Sequence, residues 1–287
     1  MRPVLAREER AGPAFVTPAL ALIAGVALVP MLGAFWLSLH REMPVFRISR
    51  FVGLDNFAFL LRDPRFLKSL GNTAYLTFLG VAIETALGLG LALLLHRSFP
   101  GRGLARAALL VPWAVPTVVS GRLWEWILNP SYGILNHVLG TDLNWLGHPS
   151  LAIHAVLLAD VWKTTPFAAL LLLAGLQVVP RDLLQAARVD GAGAARTFFH
   201  VTLPFLRPAL LVVLLFRTLD SFRIFDVVYV LTGGGPANTT ETLSVYAYKL
   251  TFSTLDFGYG SAVAAVTFLC VLGLSLVYVR LLVGRRA

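Results

Sequence analysis

Apolar residues run almost unbroken for about 20 positions at a time in six places, the length that carries a helix across a hydrocarbon core about 30 Å thick. The stretches lie at about 14 to 39, 72 to 95, 104 to 127, 151 to 178, 205 to 231 and 260 to 283. Each is expected to be a transmembrane helix. The first begins at Phe15 and continues through Val29 and Trp36 to Leu39 without a small-residue cleavage site after a short apolar region, so it reads as a retained helix. Pro30, Pro112, Pro116, Pro166, Gly88 and Gly90 lie inside the stretches. Such residues break soluble helices, but a bilayer helix with protein neighbours tolerates them. The expected fold is all-α and polytopic, with six transmembrane helices in a single membrane domain over 14–283 and tails at 1–13 and 284–287.

Composition agrees with the pattern. Of 287 residues 57% are hydrophobic and only 14% charged, with a mean hydropathy of +0.76, where soluble domains carry about 25% charge. The net charge of +9 would suggest nucleic acid in a soluble protein, but here the position of the charges decides, and no nucleic-acid partner is expected. Outside the apolar stretches or at their ends, Arg2, Arg7, Arg10, Arg97, Arg102, Arg106, Arg181, Arg188, Arg196, Arg207, Arg280, Arg285 and Arg286 share one side. The other side has Arg41, Arg47, Arg50, Arg62, Arg65, Lys68 and Lys249, most of them in one segment between the first two stretches. The excess places the first group, both tails and the loop 180–204 in the cytoplasm of a multi-pass cell-membrane protein. The basic 40–68 segment opposes that orientation. Within it, Val52 to Arg65 alternates turn signals with aromatic residues, as in a short ordered cap or a plain connector.

Several chemistries are excluded. A phosphate loop ends in Gly-Lys-Ser or Gly-Lys-Thr, whereas the lysines here, Lys68, Lys163 and Lys249, follow Leu67, Trp162 and Tyr248. The chain therefore binds no ATP by that device. None of His40, His96, His137, His148, His154 and His200 precedes a glutamate, so an HExxH zinc site is absent. The single cysteine, Cys270, permits no intrachain disulfide. Gly88 and Gly90 lack a third glycine at dinucleotide-binding spacing, and helix packing explains them better.

The segment from Pro180 to Pro204 stands apart. Pro180 suits a helix start, and Leu183, Leu184 and Ala187 recur at spacings of three and four, which predicts a short amphipathic helix over Arg181 to Val189 ended by Gly191. A second helical stretch carries Phe198, Phe199 and Val201, and Pro204 is expected to start the fifth span. Ala186, Ala187, Gly191, Ala192, Gly193, Ala194 and Ala195 would let another backbone come close. By periodicity alone this is a helix, turn and helix at a membrane surface, and an interfacial anchor would look similar.

Gln185-Ala186-Ala187, Asp190-Gly191-Ala192 and Leu203-Pro204 resemble the EAA loop of membrane subunits of binding-protein-dependent ABC importers. Asp160 to Phe167, Phe222 to Pro236, Gly53 to Phe57 and Tyr132 to Asn136 extend the resemblance over nearly the whole chain after about residue 50. They are similar to the first permease subunit of carbohydrate importers of the maltose, trehalose and glycerol-phosphate type. The resemblance implies a type I importer fold in which this loop is a coupling helix seated on a cytoplasmic ATPase, with Gly191 permitting the sharp turn. The implied partners are a second homologous permease, two ATP-binding subunits that carry ATP and Mg, an extracytoplasmic sugar-binding protein and the surrounding lipid, with no cofactor on this chain. Gln185 replaces the family's glutamate, which removes a carboxylate from that docking point.

Glu84, Arg122, Glu125, Asp160, Lys163, Arg217, Asp220, Arg223 and Asp226 lie within the apolar stretches, where ionisable groups face the bundle interior, a wet cavity or one another. Arg217, Asp220, Arg223 and Asp226 alternate in sign at spacings of three, so neighbours pair. On a helix of 3.6 residues per turn such steps drift backward by about 60 degrees each, so the ladder winds around half the helix and the four are not expected to line one pathway together. Two readings stay open for this ladder and for Asp160 with Lys163: pairing that holds helices together, or a place in a sugar path. Phe222, Phe225, Tyr229 and Trp162 offer aromatic faces for a sugar ring or for the core. The rivals to a sugar permease are an ion-driven secondary transporter using the membrane carboxylates and a membrane scaffold without transport. The first needs inverted repeats, and no pairing of the first three stretches with the last three is seen.

Overall fold

A computed structural model of the protein describes residues 15–283. The tails with Arg2, Arg7, Arg10, Arg285 and Arg286 lie outside the described residues. The chain divides into two compact units, one running to Arg62 and taking up Ala247–Val266, the other holding Asp63–Tyr246 and continuing from Thr267.

In the first unit, helix α1 (Phe15–Ser38) is long enough to cross a membrane, and none of its apolar window is covered by the chain. The helix ends at Ser38, and the chain then makes an antiparallel hairpin, β1 (His40–Met43) with β2 (Ile48–Phe51), that pairs Arg41 with Arg50 and turns at Pro44–Phe46. This two-stranded hairpin is a small addition to an otherwise helical chain. Arg47 takes a left-handed φ of 53° at its turn. The Val52–Arg65 segment is ordered, carrying α2 (Asp55–Leu60). Asn56 fixes α2 to β1 by donating to the carbonyls of Ser38 and His40 at 2.8 and 2.9 Å. The ring of Phe59 meets that of Tyr259 edge-on at 5.2 Å.

The second unit is a helical bundle. Asp63 caps α3 (Pro64–His96) by accepting from the Arg65 amide at 2.9 Å. The helix therefore starts eight residues before the apolar stretch does. It packs on α7 (Pro149–Leu176) and α9 (Ala194–Phe222), which also pack on each other. Leu95, Leu172, Leu206 and Val213 fill one part of the core. Leu76, Trp124, Val156 and Val228 fill another. Arg65 donates twice to the fully buried Glu241, at 2.7 and 2.8 Å, which ties the 237–246 segment to the start of α3.

Two expected spans are broken. The third consists of α4 (Arg102–Ala114) and α5 (Thr117–Ile127), bent by 93°. Pro116 forces Val115 into an extended conformation and supplies no amide, so the helix cannot continue. Among the described residues, five helices are long and apolar enough to span, and a sixth is reached only by joining that pair. The fifth stretch stops at Phe222, leaves the helix over Arg223 to Phe225, and resumes as α10 (Asp226–Leu231). The remaining elements are α6 (Ile134–Leu139), α8 (Arg181–Val189), α11 (Leu243–Tyr248) and α12 (Phe257–Val283).

Candidate functional site

A cavity of about 640 Å³ opens where the bend between α4 and α5, the middle of α7 and the break after α9 meet. Its charged lining is Asp160 and Lys163 from α7, Arg217 and Asp220 from α9, Arg223 from the break and Asp226 at the start of α10. All four members of the ladder therefore face one space. The expectation to the contrary assumed a continuous helix, and the chain turns out of the helix at Arg223.

The pairing also differs from the expected one. Arg217, 3% exposed, donates to the fully buried Glu84 of α3 through Nε at 2.6 Å and Nη2 at 3.2 Å. Its Nη1 reaches Asp220 at 3.3 Å, and its Nη2 lies 3.8 Å from Asp160. One guanidinium thus joins three helices. Asp220 and Arg223 approach only to 3.7 Å, and both side chains are more than half exposed, so that pair is a loose surface contact. Asp160 turns to Arg217 and not to Lys163. The Lys163 ammonium instead donates to the carbonyls of Val115 and Trp113 at the bend. Those carbonyls end α4, where the helix has no amide to offer them.

Of the aromatic candidates, Phe225 lines the cavity and stacks on Tyr229 at 5.1 Å, and Trp113 adds a second face. Phe222 is buried in the core, outside the cavity lining. Trp162 packs against the core through Trp124 at 5.8 Å. Glu84 is the residue whose role sequence reasoning missed. A lone carboxylate in the second stretch was the available signal, but its partner is 133 residues away.

The second candidate feature is the loop 180–204. Helix α8 runs over Arg181–Val189, as its apolar spacing predicts. Its end is closed by the Asp190 amide on Ala186, the Gly191 amide on Arg188 and the Ala192 amide on Ala187, at 2.9 to 3.1 Å. Gly191 has a φ of 74°, and a Cβ built there would meet nothing of this chain within 4 Å. Gln185, Ala186 and Asp190 are exposed, Ala187 and Ala192 half-buried. No residue of α8 is buried, and Leu183 and Val189 stand exposed. Leu203 and Pro204 do not start a new helix: the chain is already helical from Ala194 and passes through a wider turn at Phe198–Thr202.

Residues 84–287 match the model of a family described as the binding-protein-dependent transport system inner membrane component. The chain is 44% identical to the trehalose/maltose transport system permease protein MalF of Thermococcus litoralis, over 97% of this chain and 95% of that one. It is 42% identical to the trehalose transport system permease protein SugA of Mycobacterium tuberculosis, over 96% and 89%. In fold it matches a chain of a bacterial ABC transporter involved in the import of the acidic polysaccharide alginate, with a TM-score of 0.83 at 21% identity, over 98% of both chains.

Proposed function

The chain belongs to the family of binding-protein-dependent transport system inner membrane components, and from that premise we propose that it forms half of the translocation path of an ATP-driven importer for an uncharged di- or oligosaccharide. The cavity carries this reading. Lys163, Arg217 and Arg223 face Asp160, Asp220 and Asp226, so the lining carries equal numbers of both signs. A neutral polyol, whose hydroxyls both donate and accept, can bond to groups of either sign in such a lining, whereas the carboxylate of an acidic sugar can bond only to the cations and is repelled by the three aspartates. Phe225 and Trp113 supply apolar faces for the sugar ring. The relatives named for trehalose and maltose fit the same solute class.

The loop 180–204 is the coupling element in this reading. A second permease would complete the path, and an extracytoplasmic binding protein would deliver the sugar. Two ATPase subunits, holding ATP and Mg, would take α8 into a groove on their surface. Their closure on ATP moves α8, and the permease pair then exchanges access between the two sides. The termini and this loop face the cytoplasm.

The test is uptake of labelled trehalose or maltose by the reconstituted complex with its binding protein. Arg223→Gln and Asp226→Asn are each expected to weaken uptake at low sugar by about tenfold, the worth of one hydrogen bond to a charged group. An uronic-acid disaccharide should be taken up poorly. Preferred uptake of the acidic sugar, or full uptake by both variants, would overturn the assignment.

A further inference from the structure

The hairpin sets Arg41 directly opposite Arg50. Like charges in that relation destabilise a strand pair unless something of opposite sign lies between them. Both line a second cavity of about 370 Å³, which also carries Asp55 from the start of α2 and Asp256 just before α12. Among the described residues, neither arginine comes within ion-pair distance of either carboxylate, although all four face the same space. Asp256 accepts the Tyr259 amide at 3.0 Å, which leaves its other oxygen for the cavity. The edge-on pair of Phe59 and Tyr259 also lines it.

Depth decides what fills it. Arg41 follows the end of the α1 span at Ser38 by three residues, about 10 Å at the strand rise. The head-group layer begins there. Trp36, one turn before the end of the span, is exposed, as are Phe51, Leu54 and Phe59 on the hairpin and α2. Exposed apolar and aromatic side chains at that level are where acyl chains and glycerol backbones lie.

We propose that this cavity binds the head group of a phosphoethanolamine phospholipid, its phosphate between Arg41 and Arg50 and its ammonium on Asp55 and Asp256. Two arginines offer forked donors to phosphate oxygens. The carboxylates repel a purely anionic head group and accept hydrogen bonds from a primary ammonium, which a choline head group cannot donate. The site also gives a counter-charge to the basic hairpin, which otherwise opposes the positive-inside orientation. It is independent of the sugar that the transporter carries.

Native mass spectrometry of the complete transporter, delipidated in detergent and then offered dioleoyl phosphatidylethanolamine, phosphatidylglycerol or phosphatidylcholine, tests this. Phosphatidylethanolamine should be retained at least about tenfold better than either competitor, as expected for two or more charge-assisted bonds. Arg41→Gln with Arg50→Gln should abolish that retention, and Arg47→Gln, on the turn outside the cavity, should not change it. The milder Asp55→Asn should keep lipid binding and lose the preference over phosphatidylglycerol, which guards against a double variant that fails to assemble. Soluble glycerophosphoethanolamine should compete weakly, and strong competition would mean the ligand is a free zwitterion and not a lipid. Equal retention of all three lipids, or retention untouched by both the double variant and Asp55→Asn, would overturn the proposal.

Discussion

Arg217 and Glu84 meet by two hydrogen bonds inside the bundle, one guanidinium and one carboxylate joined across 133 residues of sequence. Neither is solvated, so each depends on the other to compensate its lost hydration.

Glu84→Gln should therefore destabilise the assembled permease by about 3 kcal/mol, because it leaves a buried guanidinium short of a carboxylate. Glu84→Gln combined with Arg217→Gln should recover part of that loss. Asp220→Asn, at the exposed edge of the cluster, should cost below about 1 kcal/mol. Thermal unfolding of the purified complex reads all of these, and strictly additive losses for Glu84 and Arg217 would dissociate the pair.

Helix α3 lies close against α7 at Gly88, where an added Cβ would stand 2.9 Å from Ala168 Cβ and 3.0 Å from the Ala169 amide nitrogen. Backbone cannot retreat as a side chain can. Gly88→Val is expected to cost about 3 kcal/mol or prevent assembly. Gly90 meets nothing within 4 Å, so Gly90→Ala should be neutral or stabilising by up to about 1 kcal/mol through helix propensity. Expression level and melting temperature distinguish the two.

Gly191→Asp should insert and pair normally, yet lose most sugar-stimulated ATP hydrolysis. It combines the backbone cost of a left-handed φ with a charge on the exposed surface that the proposed docking uses. Gln185→Glu should keep or strengthen docking. Pull-down of the ATPase beside stimulated hydrolysis measures both, and full docking with full hydrolysis by Gly191→Asp would remove α8 from the coupling role.

In a Cys270→Ala background, Arg188→Cys should react with an impermeant thiol reagent only after the membrane is opened, and Arg47→Cys in intact cells. The reverse pattern would invert the topology.

Helix α8 was legible because its information is local: Leu183, Leu184 and Ala187 mark the apolar face, and Gly191 marks the end. The bend at Val115 and Pro116 was visible as a proline, but an apolar window averages over one bad residue, and the two helices read as one span. The break after Phe222 has no proline or glycine to announce it. Without it the faces of Phe222, Arg223 and Phe225 are assigned wrongly, since one slip out of the helix re-aims every later side chain. The Arg217 to Glu84 pair was illegible because the sequence says which charges must be compensated, not which distant helix brings the partner.

Lys163 gives the corner at Pro116 a mechanical character. A helix end with dangling carbonyls is a compliant joint, but an ammonium fixed on both Trp113 and Val115 converts it into a braced knee, cross-linked to the middle of α7. The wall of the cavity formed by α4, α5 and α7 should then travel as one stiff piece when access switches. Across the same space the three residues from Arg223 to Phe225 are unwound, so a softer jaw would stand opposite the stiff one.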